Sequence, residues 1–318
     1  MNVLLVGAGF WGEKVLNTLK RFKGINITVF DPNRDALNRI TDEKISIIHN
    51  LNTAMTDRSI EAVFAITPPS SHFEIAKKSL ENDKHVFVEK PMTLCSADAC
   101  ELNNLAKENG KLLHTDNTFI YTPEINFIKQ VVDLDFIGKL ASLESTRSNW
   151  GPFKKDIDVV WDLMTHDISI LNYIIPERHV LEGVSATGSS QVNKNVIEKA
   201  RATLFYSNGF TAYVNVSFLN DVKTRKITLN GTKGLLSNDS ALSKNEIFIR
   251  NNHDLSTVSY QPQQLGEPLY VEINHFFESI SQNKLSLSNG NKGEDVVKIL
   301  EKVSQSIQSR GQYIKVNA

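Results

Sequence analysis

Two places in the chain carry residues whose types and spacing suit chemistry, and the first is a lysine at the end of an apolar run. The stretch His85–Val88 predicts a short buried strand that runs directly into Glu89, Lys90 and Pro91. In a parallel sheet this end of the strand borders the cleft where ligands bind, so Glu89 and Lys90 are candidates for contact with a cofactor. The alternative is a solvated strand end, because lysine side chains are usually exposed.

The second place is a carboxylate and an imidazole on a predicted helix. Asp162 and His166 stand four residues apart in a helical stretch that ends before Pro176, so both would project from one face and could interact directly. A carboxylate beside an imidazole orients the ring and raises its basicity, as a general base for an alcohol proton requires. Asp167 lies roughly 100° around the helix from His166 and is not included. The alternative is an exposed helix pair.

A glycine-rich turn near the N-terminus belongs to the elements that would position these groups. The sequence "NVLLVGAGFWG" leaves a strand at Gly7, Gly9 and Gly12, with Phe10 and Trp11 inside the turn, and helical spacing follows. Such glycines allow a tight turn and let a pyrophosphate approach backbone N–H groups at the helix start. The pattern predicts a dinucleotide site contacted by these five residues, and the alternative is a glycine turn without a ligand.

An acidic residue follows the glycine turn at the sequence distance expected for a dinucleotide site. Asp31 ends the second predicted strand, 19 residues after Gly12, where a carboxylate accepts hydrogen bonds from the ribose hydroxyls. Its negative charge would repel the 2′-phosphate of NADP, so the sequence predicts NAD. Arg34 follows three residues later and could bind that phosphate, which leaves NADP as the less favoured alternative.

Further strands and helices alternate through the first half. "EAVFAIT" ends in Thr67, Pro68 and the following Pro-Ser-Ser-His72, and "HVFVEKP" and "KLLHTDNT" come after it. This rhythm predicts an α/β fold, a doubly wound parallel Rossmann sheet over residues 1–120. Thr67, Pro68 and His72 then lie at the same sheet edge as Lys90, and they are predicted to contact the cofactor.

The second half, residues 121–318, changes in texture. Longer strands with antiparallel character are joined by turns at Asn208-Gly209 and Asn230-Gly231, with one early helix and two late ones. We expect an α+β domain with an open, mostly antiparallel sheet. The last helix is a candidate to return to the first domain.

Composition narrows the classes of partner. The chain has 318 residues, a formal net charge of -1 and 41% hydrophobic residues, which favours small-molecule partners over nucleic acid or an anionic membrane. Two cysteines, Cys95 and Cys100, are too few for a disulfide framework, and no Cys/His cluster has metal-ligand spacing. No apolar run reaches the ~18 residues of a membrane span. The sequence predicts a cytoplasmic protein without a metal.

Taken together, the GxGxxG turn, "TPPSSH", "VEKP" and "WDLMTHD" resemble the glucose-fructose oxidoreductase and inositol dehydrogenase family, Gfo/Idh/MocA. The resemblance implies a held nicotinamide, redox chemistry at a sugar-like secondary carbon, and a homodimer or homotetramer formed through the open sheet. It also implies that Lys90 meets a substrate oxygen, that His166 is the acid/base, and that Asp162 is its neighbour. The family's usual Tyr-Asn-Pro is Tyr121-Thr122-Pro123 here, with Tyr121 on the substrate side.

The substrate prediction depends on cations in the second half. "NTFIYTP" and "TRSNWGPFKKD" resemble members of sugar-nucleotide and surface-polysaccharide pathways. In that reading Arg147, Asn149 and Lys154 border the pocket and Arg225 adds to its rim, where they would meet the phosphates of a nucleotide diphosphate. A solvated surface is the alternative for these charges. We predict 3-dehydrogenation of a UDP-hexose or UDP-N-acetylhexosamine.

Three other functions remain compatible with the sequence. They are a dehydrogenase of free sugars or polyols, an NAD-dependent glycosidase without net redox, and a non-catalytic nicotinamide sensor. The joint presence of Lys90, Asp162 and His166 argues against the sensor.

Overall fold

The computed structural model describes residues 1–151, 157–242, 246–263 and 266–316. The chain divides into two compact units: Met1–Thr118 with Gly266–Val297, and Phe119–Leu265 with Lys298–Ala318. The sequence predicts a division at residue 120 with the last helix a candidate to return to the first domain, and in the structure residues 266–297 belong with the first stretch. Each unit is therefore built from two separate pieces of chain.

The first unit contains the predicted parallel sheet, in the spatial order β3-β2-β1-β4-β5-β6. Each neighbouring pair of these strands is parallel, which confirms the doubly wound fold. The third strand consists of only two residues, both exposed, at the edge of the sheet. The strands are β1 Asn2–Val6, β2 Asn26–Phe30, β3 Ser46–Ile47, β4 Ala62–Ala65, β5 His85–Glu89 and β6 Leu113–Asp116.

The second unit contains a mixed sheet, in the order β14-β13-β12-β11-β7-β10-β9-β8-β15. Its pairs are antiparallel except for β7 with β10, so the predicted mostly antiparallel sheet is confirmed. The strands are β7 Leu140–Trp150, β8 Leu181–Ser189, β9 Lys199–Tyr206, β10 Thr211–Ser217, β11 Leu219–Gly231, β12 Gly234–Asp239, β13 Ile247–Asn251, β14 Thr257–Tyr260 and β15 Ile314–Lys315.

The helices follow apolar stripes with local caps. The side chain of Asn33 caps α2 and that of Asn50 caps α3, each accepting a hydrogen bond from a backbone N–H of the first turn. The helices are α1 Phe10–Leu19, α2 Arg34–Asn38, α3 Leu51–Thr56, α4 His72–Glu81, α5 Ser96–Glu108, α6 Pro123–Asp133, α7 Thr165–Ile174, α8 Pro268–Gln282 and α9 Gly290–Gln308.

An aromatic cluster marks the core of the first unit. Phe64 on β4 and Phe87 on β5 lie 4.9 Å apart between ring centroids, and Phe276 on α8 packs 5.6 Å from each of them. All three side chains are fully buried, and each burial stabilises the fold by roughly 1.5–3 kcal/mol. Helix α8 is thus part of the core that supports the parallel sheet.

Alternation organises the mixed sheet. Along β9 and β10, Ala202, Leu204 and Val214 are fully buried, while the residues between them, such as Arg201 and Tyr213, are partly or fully exposed. A period of two gives each strand one buried face and one open face. The open face is polar and aromatic.

Candidate active site

The glycine turn has the geometry that a dinucleotide needs. Gly7 has a φ of +102°, and a Cβ there would lie 2.0 Å from the carbonyl oxygen of Ile66. A Cβ on Gly12 would lie 2.1 Å from the carbonyl oxygen of Gly7, whereas one on Gly9 would have nothing within 4 Å among the described residues. Gly7 and Gly12 therefore allow close packing of the chain on itself, and Gly9 leaves the start of α1 open to an anion.

Asp31 lies directly beside this turn. Its Oδ2 accepts a hydrogen bond from the N–H of Ala8 at 2.7 Å, and its Oδ1 accepts one from the N–H of Asn33 at 2.7 Å. These bonds fix the carboxylate where a ribose diol is expected. Arg34 is the exposed first residue of α2. The Nη2 of Arg39 lies 3.5 Å from the carbonyl oxygen of Ala8, a cation near the turn that the sequence did not single out.

Phe10 and Trp11 have different surroundings. Phe10 is 78% exposed, and the Nζ of Lys14 lies 4.4 Å from its ring centroid. The indole Nε1 of Trp11 donates a hydrogen bond to Oδ2 of Asp116 at 2.8 Å. Asp116 ends β6 and was not predicted as a site residue. It anchors the glycine turn to the carboxyl edge of the sheet.

Asp116 borders a buried polar network. Glu272 on α8 is fully buried; its Oε1 accepts from the N–H of Asn117 at 2.8 Å and lies 3.1 Å from Nε2 of His114. Burial, followed by the negative charge of Asp116, raises the pKa of Glu272 well above its ordinary value. The same burial lowers the pKa of His114. This network ties α8 to the end of β6.

The residues after β4 include Thr67, Pro68 and His72, of which Thr67 is partly buried and Pro68 exposed. His72 is fully buried, and its ring nitrogens lie 2.8 Å from the carbonyl oxygen of Pro91 and 2.7 Å from that of Thr67. Burial lowers the pKa of His72, and the two carbonyl contacts oppose that shift. The ring of His72 thus links two loops, and its contact with the cofactor stays a prediction.

Glu89 and Lys90 lie where the sequence places them, at the carboxyl end of β5. Both side chains are partly buried, and Glu89 is in register with Asp116 on the neighbouring β6. The Lys90–Pro91 peptide bond is cis. Within the first unit, the edge that carries Lys90 is therefore the edge that carries Thr67 and Asp116.

In the second unit, the predicted catalytic helix begins with a wider turn. Val160–Met164 forms a π-helix, and α7 continues from it without a break. Asp162 lies in the π-helical turn and is 7% exposed, whereas His166 is partly buried in the first turn of α7. The four-residue spacing assumed α-helical geometry, so the direct Asp162–His166 interaction stays a prediction. π-helical turns are frequent at functional sites.

Arg147 and Asp167 form a buried ion pair. The Nε of Arg147 lies 2.9 Å from Oδ2 of Asp167, and the hydroxyl of Ser145 donates to its Oδ1 at 2.6 Å. Arg147 is 5% exposed and Asp167 2%. Arg147 was predicted at the mouth of a pocket, but it is enclosed between β7 and α7. Asp167, which the sequence reasoning left out, is its partner.

The ring of Phe119 contacts three candidate site residues in this unit. Its ring lies 4.8 Å from that of His166 in an edge-to-face contact, and the Cζ atoms of Arg147 and Arg225 lie 4.4 and 5.0 Å from its centroid. Burial, followed by the charge of Arg147, lowers the pKa of Arg225. Burial raises the pKa of Glu124, whose charge acts on Arg225. Neither Phe119 nor Glu124 carried a recognisable signal in the sequence.

The remaining substrate-side predictions have mixed outcomes. Tyr121 is 8% exposed, and the side-chain amide of the partly buried Asn149 donates to the carbonyl of Gly151. Lys154 lies outside the described residues. No group of three or more His, Cys, Asp or Glu residues in the described part of the chain is placed to hold a metal.

Two family models match the chain, one over each half. The oxidoreductase family model for an NAD-binding Rossmann fold matches residues 1–117. The Gfo/Idh/MocA C-terminal domain model matches residues 125–237. The predicted family and its cofactor NAD are thus confirmed.

Relatives add named activities. The 2,7-anhydro-N-acetylneuraminate hydratase of Escherichia coli K12 is 22% identical over 254 residues, 75% of this chain and 68% of the relative. The UDP-N-acetylglucosamine 3-dehydrogenase of Acidithiobacillus ferrooxidans is 30% identical over 161 residues, 50% of this chain and 49% of the relative.

Solved structures share the fold over the whole chain. A crystal form of the Acidithiobacillus ferrooxidans dehydrogenase has a TM-score of 0.86 at 23% identity, covering 97% of this chain and 98% of its own. Levoglucosan dehydrogenase in complex with NADH and levoglucosan has a TM-score of 0.88 at 18% identity, covering 100% of both chains. With both halves matched and a glycine turn that fits a dinucleotide, this chain belongs to the NAD-binding Gfo/Idh/MocA oxidoreductase family.

Proposed function

We propose that this oxidoreductase oxidises the C3 ring hydroxyl of a UDP-linked hexose or N-acetylhexosamine to a ketone, with the hydride passing from that carbon to NAD. The observation that carries the proposal is the contact set of Phe119, which brings an acid/base candidate, His166, together with two guanidinium groups. A proton acceptor beside an anion-binding group is the combination that a phosphate-bearing alcohol substrate requires.

The charge balance of this cluster favours an anion. Arg147 and Arg225 are directly opposite each other on β7 and β11, and like charges in that position are destabilising unless something relieves them. Asp167 neutralises Arg147 through the buried ion pair. The charge of Asp167 also acts on Arg225, and the raised pKa of Glu124 weakens a second carboxylate that acts on it. A substrate phosphate would add a full negative charge beside Arg225.

The proposed chemical roles follow the sequence prediction. His166 takes the proton of the substrate hydroxyl, Asp162 orients the imidazole ring, and Lys90 binds the oxygen that becomes the ketone. NAD accepts the hydride from the same carbon when it is bound. Removal of one proton and one hydride converts a secondary alcohol to a ketone, so the reaction is balanced by formation of NADH.

The cofactor part of the proposal concerns NAD against NADP. Asp31 accepts hydrogen bonds from two backbone N–H groups and places a carboxylate at the expected ribose position, which disfavours a 2′-phosphate. Arg34 and Arg39 are the nearby cations that could offset that charge. We expect tighter binding of NADH than of NADPH.

Two relatives support different classes of substrate. The UDP-N-acetylglucosamine 3-dehydrogenase supports a nucleotide sugar, and levoglucosan dehydrogenase supports a free sugar. The hydratase, whose name denotes gain or loss of water, supports a second candidate function without net redox. In that case product would form while NADH does not accumulate.

A pair of variants tests the nucleotide-sugar proposal. Arg225→Met should lower kcat/KM for UDP-N-acetylglucosamine about 10–100-fold, the loss expected for one charge-assisted hydrogen bond, and leave activity on free N-acetylglucosamine unchanged. Lys226→Met is the matched control, because Lys226 is exposed and its side chain alternates to the other face of β11. Equal kcat/KM for the nucleotide sugar and the free sugar in the unmodified protein would refute the phosphate argument.

We also propose that copies of the chain associate through the open face of the mixed sheet, as a homodimer or homotetramer. A polar groove of about 670 Å³ lies on this face, lined in part by Glu144, Arg201 and Asn215. Light scattering of the purified protein checks the assembly.

Both cysteines are free, which suits the reducing cytoplasm that we propose as the location of the protein. No helix in the described ranges is long and apolar enough to cross a membrane.

A further inference from the structure

The ring of His72 bridges two backbone loops that lie at one edge of the parallel sheet. Its Nε2 faces the carbonyl oxygen of Thr67 at 2.7 Å, in the loop after β4, and its Nδ1 faces that of Pro91 at 2.8 Å, after β5. A carbonyl oxygen only accepts and a neutral imidazole carries one N–H, so one of the two contacts is a hydrogen bond in a given tautomer, and both are only when the ring is protonated. One fully buried side chain therefore joins two segments that are separate in sequence.

The surroundings of His72 hold the ring in a fixed place. His72 is the first residue of α4, so its backbone is set by the helix. The hydroxyl of Ser71 bonds to the hydroxyl of Thr67 at 2.7 Å and to the carbonyl of Pro68 at 2.9 Å. The loop after β4 is thus stiffened from within, and it offers a firm support to the ring.

We propose that His72 is a positioning residue, which fixes the backbone at Lys90–Pro91 against the Thr67 loop and so sets the place from which the Lys90 side chain reaches out. A long lysine side chain is useful at a reacting oxygen only if its backbone is held to within a fraction of an ångström. The role of Lys90 in this inference rests on the proposed function. The hydrogen-bonded link between the loops does not.

Three substitutions separate the two bonds. His72→Phe keeps a ring of similar size and removes both ring nitrogens. The amide nitrogen of Asn lies near the place of Nδ1 and that of Gln near the place of Nε2, so His72→Asn keeps the bond to Pro91 and His72→Gln keeps the bond to Thr67. His85→Phe is the matched control: His85 lies at the other end of β5, where its Nδ1 accepts from the N–H of Leu112.

Amide hydrogen exchange reads the link without any substrate. We expect His72→Phe to speed amide exchange in the peptide that contains residues 89–93 by about tenfold or more, because loss of one hydrogen bond changes a local opening equilibrium by about that factor. Reactivity of Lys90 with a lysine-acylating reagent, mapped by mass spectrometry, should change with it. His72→Asn should restore both readouts more fully than His72→Gln, and His85→Phe should leave both as in the unmodified protein.

Kinetics then separates positioning from general stability. For the sugar substrate, His72→Phe should lower kcat about tenfold or more, with KM for NAD changed by less than about threefold, and His72→Asn should recover much of kcat. Unchanged exchange and unchanged Lys90 labelling in His72→Phe would overturn the inference. If His72→Phe does not fold, equal behaviour of His72→Asn and the unmodified protein supports the inference, and equal behaviour of the Asn and Gln variants overturns it. A failed substrate search refutes only the proposed function, because exchange and labelling need no substrate.

Discussion

The substitution Gly9→Ala should separate cofactor binding from folding. Gly9 has φ -72° and ψ -164°, which alanine adopts without strain, and its Cβ would meet nothing within 4 Å in the described chain. Alanine gains about 0.4–1 kcal/mol by restricting the unfolded chain, and loses a comparable amount, about 1 kcal/mol, as the poorer N-cap of α1. The free energy of unfolding should therefore change by less than about 1 kcal/mol.

Binding of NAD should respond very differently to the same methyl group. It would occupy the space above the N-terminus of α1, where the pyrophosphate is expected. Displacing the anion from one or two charge-assisted bonds costs about 2–3 kcal/mol, so the dissociation constant for NADH should rise about 30–150-fold. Fluorescence titration with NADH measures the affinity, and urea unfolding measures the stability.

Gly12→Ala is the control for this experiment, because a Cβ there would lie 2.1 Å from a backbone oxygen of Gly7. Overpacking of that kind costs about 1–3 kcal/mol, so this variant should lose stability as well as affinity. Wild-type affinity for NADH in Gly9→Ala would refute the placement of the pyrophosphate on this turn.

Three further outcomes follow from the site. His166→Asn should lower turnover about 10²–10⁴-fold while NADH titration shows unchanged binding; near-normal turnover would exclude His166 as the acid/base. Arg147→Met should destabilise the protein by about 3–5 kcal/mol in urea unfolding, since Asp167 is left buried and unpaired, and adding Asp167→Leu should recover most of the loss. The pKa of Glu272 is raised in the folded state. The stability that its protonated carboxyl contributes is therefore fully present below the unfolded pKa near 4.5 and is lost as the pH rises through the folded pKa. Glu272→Gln should flatten that decline in unfolding curves measured across pH, and an unchanged slope would contradict it.

The sequence predicted best what short-range physics decides. The strand, turn and helix from Asn2 to Leu19 follow from glycine spacing and apolar periodicity, and Asp31 follows from the length of one βα unit. These features need no knowledge of distant residues.

Features that depend on tertiary contacts were not predictable. A stretch of five residues around Asp162 is too short for the sequence to distinguish an α-helical turn from a π-helical one, whose backbone hydrogen bonds span four and five residues. Asp167 was left out because it does not share a face with His166, yet it faces Arg147 on β7. Nothing in "TPPSSH" reveals that the ring of His72 is fully buried or that it lies between the carbonyl oxygens of Thr67 and Pro91. Sequence spacing predicts which face of a helix or strand a side chain lies on. It does not predict which residue of another helix or strand that side chain contacts.

The two-piece construction of the first unit has a consequence for synthesis of the protein. Helix α8 supplies Phe276 to the aromatic core and Glu272 to the network at the end of β6, but it is translated some 150 residues after β6. A nascent chain that has emerged only as far as residue 118 carries every strand of the parallel sheet with Phe64 and Phe87 uncovered. Because domains generally fold as units during synthesis, the nucleotide-binding unit is completed only after residues 119–265, which belong to the second unit, have also been translated. Truncation anywhere before α8 should therefore yield an incompletely folded chain that exposes apolar surface and binds chaperones, and not a small NAD-binding protein.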